Sequence, residues 1–484
     1  MRPLRPLALR LSLPCFAALV AFSLWASAPA SAQVFDPLRP PDLPAPRLSP
    51  DPIPSHDWRS PGFVAVIDGR LYDPQCRPLR SVGSNVPNLM YRKVARENLE
   101  WMRDHGMRWM RVMAFGHGSL SAFPDIADGR VEQRLAELLA DVELFNAIHP
   151  PEQRIYVLVT LVDYYEPGIP GDQHGFDNRN WCVARVLNAP WFRRGYRYYD
   201  FVEECDGAGV VRDAPNYEVN YKPWVQRLVS IGANSPAVLG WQLGNELKAK
   251  SSPRNNIEHM EAYGWYLDWT KDMVDTIREI DKNHLIFTGA QYLAELADWP
   301  YRPVHNSVAL DLRVIYQELV DQMLHSCGRY CWNVWGLTHY DLELYPIDDA
   351  LMFRQAGVAV IVTETGITLG KTPEQQARYG GDRAAALRSG VDQPWQDVLG
   401  RWHSRRWGLA EQIELTGMVG IAPWGSPNPN EWADPGLDLD STRGISQVPD
   451  SGAMWELWSN LAGTLEARNR SEGVSVACEV ARSS

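Results

Sequence analysis

Eight short apolar runs recur along the chain, at 79–85, 108–115, 155–163, 238–245, 285–290, 334–340, 358–364 and 418–424. They are too uniformly apolar for strands with one wet face, so they read as strands buried on both sides. Between them lie stretches whose apolar residues return every three or four positions, at 131–148, 224–231, 263–280, 348–356 and 395–413, with a closing stretch at 454–466. That spacing predicts helices with one apolar face. Strands alternating with helices build parallel sheets, and eight of them predict an α/β fold, a single closed (β/α)8 TIM barrel. Before the first of these strands, runs at 63–67 and 70–72 flank Asp68-Gly69, a hairpin turn signal. This N-terminal β-hairpin is expected to cap the bottom of the barrel. The longest inter-strand segment, 164–235, is dense in Tyr, Trp, Asp and Gly in its first half. It is expected to be one of several long loops at the C-terminal face, where such barrels place their sites. A doubly wound open sheet is the rival, but no Gly-x-Gly-x-x-Gly follows a first strand.

The apolar pattern breaks at the strand ends. In order these ends carry Asn85, Arg111 to His117, Asp163 with Tyr164 and Tyr165, Asn245-Glu246, His339-Tyr340, Glu364 and Trp424. A stable core would prefer Val or Ile there. Two of the ends are glutamates, Glu246 and Glu364, 118 residues apart on the fourth and seventh strands. A carboxylate ending a buried strand is costly unless it is paired, hydrogen-bonded or used. Two of them on separate strands meet the needs of glycosidic hydrolysis: an acid for the leaving oxygen and a carboxylate to attack the sugar.

The chain ends and the composition set the context. Arg2, Arg5 and Arg10, an apolar run at 11–25 and Ala30-Ser31-Ala32 read as a signal peptide over 1–32, cleaved near Gln33. An uncleaved anchor is the rival, but Ser12, Pro14 and Ser23 interrupt a run already short for a bilayer. A proline-rich leader follows over 33–56, then the barrel over 57–470 and a C-terminal tail over 471–484. Loss of the signal removes three Arg and no acid, moving the net charge from −12 to −15. An acidic, secreted (extracellular or periplasmic) chain argues against nucleic acid as a partner, and against a membrane once the signal is gone. Six cysteines remain in the mature chain: Cys76, Cys182, Cys205, Cys327, Cys331 and Cys478. In an oxidising compartment they allow up to three disulfides among fifteen connectivities. Cys327–Cys331 and Cys182–Cys205 are the local pairings, and Cys76–Cys478 would tie the two ends together. No Cys-x-x-Cys or His-rich spacing argues for metal, so neither metal nor cofactor is expected. Tryptophan outnumbers phenylalanine, 20 to 12, which serves either core area or stacking on sugar rings.

The set Gly83-Ser84-Asn85, Arg111, Gly244-Asn245-Glu246, His339-Tyr340, Thr363-Glu364 and Trp424 resembles clan A glycoside hydrolases, most of all family 5, which includes endo-β-mannanases and endo-β-glucanases. The resemblance covers the barrel, from about residue 63 to the closing helix. It implies Glu246 as acid/base and Glu364 as nucleophile, with Arg111 keeping Glu364 ionised. It further implies Asn245 on the sugar 2-hydroxyl, His339 and Tyr340 orienting nucleophile and substrate, and Trp424 under the sugar. Asn85, Asp163 and Tyr164 would support the site or touch substrate. The chain departs from the family pattern at Leu247, where Pro is common, and at His339-Tyr340-Asp341, where His-x-Tyr is common. It also lacks a histidine near the end of the third strand.

These residues have structural readings too. Glu246 could pair with Lys248 or Lys250, Glu364 with a core arginine, Arg111 with a core carboxylate, and Trp424 could fill the core. The expectation is a secreted monomeric retaining β-glycosidase acting on β-linked polysaccharide, with endo action on β-mannan first and endo-β-1,4-glucanase activity second. A silent polysaccharide-binding barrel is the rival of a different class. A phosphate-handling or metal-dependent barrel enzyme would need a Gly-rich phosphate loop or a His/Asp metal set. The prolines of Trp424-Gly425-Ser426-Pro427-Asn428-Pro429 remove backbone N–H donors such a loop would use.

Overall fold

The computed structural model describes residues 57–86, 89, 94, 96–114, 129–162, 217–245, 259–289, 334–337, 340–341, 358–366, 395–396, 402–403, 409–423 and 451–483. It begins with a hairpin of β1 (Ala65–Ile67) and β2 (Arg70–Tyr72), paired antiparallel from Ala65↔Tyr72 to Ile67↔Arg70. Its two-residue turn holds Asp68 at φ 49° and Gly69 at φ 68°. Both angles are left-handed, as a turn matching the twist of its strands requires, and Asp-Gly tolerates them.

The remaining elements follow in chain order: β3 (Ser81–Asn85), α1 (Glu97–Asp104), β4 (Trp109–Met113), α2 (Arg130–Ile148), β5 (Tyr156–Thr160), α3 (Lys222–Gly232), β6 (Val238–Gln242), α4 (His259–Ile280), β7 (Leu285–Phe287), β8 (Val334–Leu337), β9 (Tyr340–Asp341), β10 (Ala359–Gly366), β11 (Trp395–Gln396), β12 (Trp402–His403), α5 (Leu409–Thr416), β13 (Met418–Pro423), α6 (Ser451–Glu472) and α7 (Val476–Ser483). Strands β3, β4, β5, β6, β7, β8, β10 and β13 are neighbours in that order, all parallel. β13 then pairs with β3 through Gly420↔Ser81 and Ile421↔Val82, so the eight strands close into a ring. The sequence's eight strands are these eight, which makes the fold a (β/α)8 barrel.

Closure creates two cores. Outside the ring, Val82, Met110, Val112, Val157, Val159, Trp241, Val360 and Val362 pack with the helices. The α2 residues Val131, Leu135, Leu138, Leu139, Val142 and Phe145, spaced three and four apart, form its buried face. Inside, Trp109, Tyr156, Leu158, Leu239, Leu285, Phe287, Ala359, Ile361 and Val419 fill the barrel. Most of these lie toward the strand starts, and Val64, Val66 and Leu71 of the hairpin segment join the same cluster, with Trp58 against it. Burial pushes the Tyr156 hydroxyl up to about 12, so it sits there neutral.

The chain ends meet beside the hairpin. Cys76 and Cys478 form a disulfide that joins the β2–β3 connection to α7, with Ile67 and Tyr72 around it. This is the end-to-end pairing that the cysteine count left open among others. Cys182, Cys205, Cys327 and Cys331 lie outside the described residues. So does the helix expected over 348–356. The segment read as a tail from 471 completes α6 and forms α7.

Two elements differ from the pattern. Where a helix is expected over 395–413, the described residues form an antiparallel pairing, Trp395↔His403 and Gln396↔Trp402, and then a helix over Leu409–Thr416. Gly400 and Gly408 interrupt that stretch, and each glycine inside a helix costs about 1 kcal/mol relative to alanine. The sixth strand is split into β8 and β9, and both pieces pair with β10.

Candidate active site

The period-two alternation of the strands brings polar residues into the barrel at its upper end. In β4, Met110 and Val112 pack outward while Trp109 fills the barrel, so Arg111 shares the inward phase of Trp109. In β5, Tyr156 and Leu158 face in, and Thr160 is the next inward residue. In β10, Ala359 and Ile361 face in, and Thr363 follows. In β6 the pairing with β5 skips a residue between Val238 and Gly240. Trp241 then packs outward and Gln242 inward. Each of these four strands thus begins apolar inside the barrel and then turns polar.

These ends form one hydrogen-bonded network around Arg111. Its Nε donates to Gln242 Oε1 at 2.8 Å and to Thr160 Oγ1 at 3.0 Å. Its Nη1 donates to Asn85 Oδ1 at 3.1 Å and its Nη2 to Asn245 Oδ1 at 2.6 Å. The Thr160 hydroxyl donates to Gln242 Oε1 at 2.7 Å. Asn85 Nδ2 donates to the Thr363 carbonyl at 2.9 Å, and Gln242 Nε2 to Thr363 Oγ1 at 3.2 Å. No member is more than 3 % exposed. A buried polar group left unsatisfied costs about 1–3 kcal/mol, so the network is tolerable because its members satisfy one another. The four acceptors around Arg111 are neutral amide or hydroxyl oxygens, so none of them cancels the guanidinium charge.

The backbone after β6 is held from both sides. Leu243 N donates to the Phe287 carbonyl at 2.8 Å and Asn245 N to the Val162 carbonyl at 2.7 Å. Gly289, at φ +79°, packs so closely that a Cβ there would lie 1.8 Å from the Gly244 carbonyl oxygen. Only glycine fits both the angle and the contact. Asn245 is therefore delivered to Arg111 by its neighbours in the ring.

Of the residues expected at the site, Asn85, Arg111 and Asn245 come together in this network. Glu364 lies in β10 directly after Thr363, and Tyr340 lies in β9, paired with Thr365. The side chains of Glu364 and Tyr340, and the whole of Asp163, Tyr164, Glu246, His339 and Trp424, lie outside the described residues. Thr160 and Gln242 were not singled out from the sequence, and Thr363 only as the residue before Glu364. Their signal was there: each is a polar residue at the last inward position of an otherwise apolar strand. Arg108, close to Arg111 in sequence, serves elsewhere, donating to the carbonyls of Pro151 and Arg154 at 2.8 and 2.9 Å. Among the described residues, no three His, Cys, Asp or Glu side chains gather as metal ligands would.

No family model matches the chain. Over 69 residues it is 38% identical to mannan endo-1,4-beta-mannosidase A of Podospora anserina, a match covering 14% of this chain and 16% of that protein. The chain thus matches about one sixth of that relative's length. Among solved structures it is similar to an endo-1,4-beta-mannanase from Rhizomucor miehei, with TM-score 0.44, 16% identity, and coverage of 85% of this chain and 100% of that one. It is also similar to a beta-glucanase from Saccharophagus degradans, with TM-score 0.45, 12% identity, and coverage of 86% and 98%. Likenesses this distant assign no activity; the fold itself stands on the closed ring of strands.

Proposed function

We propose that this chain is a clan A glycoside hydrolase of family 5 type, a retaining β-glycosidase that cleaves β-linked polysaccharide by double displacement. One observation carries the reading: the residue before each of the two glutamates is anchored to the same buried arginine network. Asn245, before Glu246, accepts from Arg111, while Thr363, before Glu364, is held by Asn85 and Gln242. Two carboxylates carried on strands locked to one guanidinium make a pre-organised pair.

In this reading Glu246 protonates the leaving glycosidic oxygen while Glu364 attacks the anomeric carbon. Retention calls for carboxyls about 5–5.5 Å apart, leaving no room for water beside the nucleophile. The charge of Arg111 favours the ionised form of Glu364, and the second carboxylate raises the proton affinity of Glu246. Asn245 meets the sugar 2-hydroxyl, a contact that strengthens as the ring flattens toward an oxocarbenium ion. Glu246 then acts as base for the water that releases the sugar. His339, Tyr340, Asp163, Tyr164 and Trp424 line the substrate path, with the long segments after the strands as its walls. The hairpin closes the opposite end.

β-Mannan is the proposed substrate and β-glucan the next choice, with endo action in an open cleft. The 69-residue match to a mannan endo-1,4-beta-mannosidase supports placing mannan first. Export as a monomer completes the reading: the N-terminal pattern and the Cys76–Cys478 disulfide suit an oxidising compartment, and one chain supplies both glutamates. The test is incubation with mannans, glucans, xylans and galactans, following products and their first-formed anomer by NMR. Retained configuration, with turnover lost in Glu246→Gln and Glu364→Gln, is expected. An inverted first product would overturn the mechanism, and activity surviving in either variant would remove that residue's role.

A further inference from the structure

We infer that Gln242 is a positioning residue for this site: its neutral amide fixes Arg111 and ties it to β10 through Thr363, while leaving the guanidinium charge for the carboxylate that follows. The identity of that carboxylate as a nucleophile rests on the glycosidase reading; the geometry of the tie does not.

The hydrogen bonds settle which way the amide points. Arg111 Nε–H can only donate, so the atom facing it at 2.8 Å is the carbonyl oxygen of Gln242. That oxygen also accepts from Thr160 Oγ1 at 2.7 Å, and the Thr160 hydroxyl itself accepts from Nε at 3.0 Å. The NH2 end must then face Thr363 Oγ1, 3.2 Å away on β10. One side chain thus spans from the cation on β4 to the residue preceding Glu364. Gln242 is fully buried on the inward phase of β6, where Val or Ile would serve a core equally well. Polar atoms at such a place are retained for what they hold.

Neutrality is the informative part. A glutamate at 242 could also accept from Arg111 Nε, but it would add a charge against the guanidinium inside a dry barrel. It would also lose the donor to Thr363. Arg111 would then support the ionised form of a neighbouring carboxylate less well. An apolar residue would take the Gln242 acceptor from Nε and leave Asn85 as the described tie between Arg111 and β10.

The experiment compares wild type with Gln242→Glu and Gln242→Met, reading melting temperature, kcat, KM, and the pH dependence of kcat/KM on the polysaccharide that the panel identifies. Gln242→Met should lower kcat about 10- to 100-fold with KM changed less than about threefold, the mark of a misplaced group. Gln242→Glu keeps the hold on Arg111 and should regain turnover at high pH, with the acid limb moved up by about one unit. If both variants change only the melting temperature, Gln242 is structural and the inference fails. The second readout is the titration of the Glu364 carboxyl by 13C NMR, assigned through Glu364→Gln, in wild type and Gln242→Glu. An unchanged midpoint overturns the inference even in an active glycosidase. A raised midpoint in a protein that cleaves no polysaccharide upholds it while the glycosidase reading falls. Should Gln242→Met not fold, Gln242→Glu decides by both measures.

Discussion

Two arginines, each 1 % exposed, sit in different parts of this molecule and are held in opposite ways. Arg278, near the end of α4, donates to the carbonyls of Asp281 and His284, three and six residues away, at 3.3 and 2.5 Å. Its guanidinium lies 3.6 Å from the ring centre of Trp58. Arg111 draws described partners from 26, 49, 131 and 134 residues away, on or just after three other strands. A short loop and one tryptophan cage the first, whereas the second is met by side chains from three other strands of the ring. Charge differs as well. Burial lowers the proton affinity of Arg278, with the charge of Asp281 opposing that effect. Around Arg111 the four acceptors are neutral. The local cage holds its cation with backbone carbonyls and one aromatic ring, and the long-range one holds its cation with neutral side-chain oxygens brought in from other strands.

The sharpest way to break this contrast is to remove each cation in turn. Arg111→Met should lower kcat/KM about 1000-fold, about 4 kcal/mol of transition-state stabilisation. Arg111→Lys should recover little of it, because one ammonium cannot reach four oxygens in the planar fork that guanidinium offers. Steady-state kinetics on the identified polysaccharide decides the point. A Lys variant near wild-type activity would mean that only the charge matters and the network does not.

What was readable in the sequence divides along the same line. Strand positions were legible because burial on both faces leaves apolar runs, and Asn85, Arg111 and Asn245 stood out where those runs end. Gln242 and Thr160 were hidden inside such runs. Their meaning depends on which neighbour each inward residue faces, and ring closure rather than local spacing sets that. Arg278 was equally hidden: a basic residue at a helix end reads as surface until Trp58, 220 residues earlier, covers it. The stretch from 395 carries a period-3.6 pattern, yet Trp395–Gln396 and Trp402–His403 pair as a ribbon, because periodicity alone does not weigh the two glycines in its sequence.

At the other cage, Arg278→Met should cost about 3–5 kcal/mol of stability, since it strips two buried carbonyls of their donor and removes the group packed on Trp58. Its kcat and KM per folded molecule should stay at wild-type values. Denaturant unfolding beside kinetics tests both halves, and a fall in kcat would show that the two cages are coupled. A smaller effect of the same kind is expected at the disulfide. Cys478→Ser frees a cross-link spanning 402 residues and should cost about 2–5 kcal/mol, again without change in turnover.

The smallest effect concerns pH, and its sign follows from the groups around Asp281. Burial disfavours the charge of this carboxylate, but hydrogen bonds from His284 Nδ1, Trp241 Nε1 and the Asn283 N–H, with the charge of His284, outweigh it. The carboxyl is therefore held below its ordinary 3.8. A group depressed in this way stabilises the fold fully above its unfolded value, and that contribution disappears as pH falls through the lower folded value. Wild type should therefore lose melting temperature more steeply than Asp281→Asn as pH falls below the ordinary carboxylate range. Trp241, whose indole holds this carboxylate, is the residue before Gln242 and points to the other face of β6. If acid also moved the limb of kcat/KM in Asp281→Asn, the strand would be transmitting strain between the two cages. Parallel melting curves with an unchanged limb would instead mean that Asp281 contributes nothing through its charge.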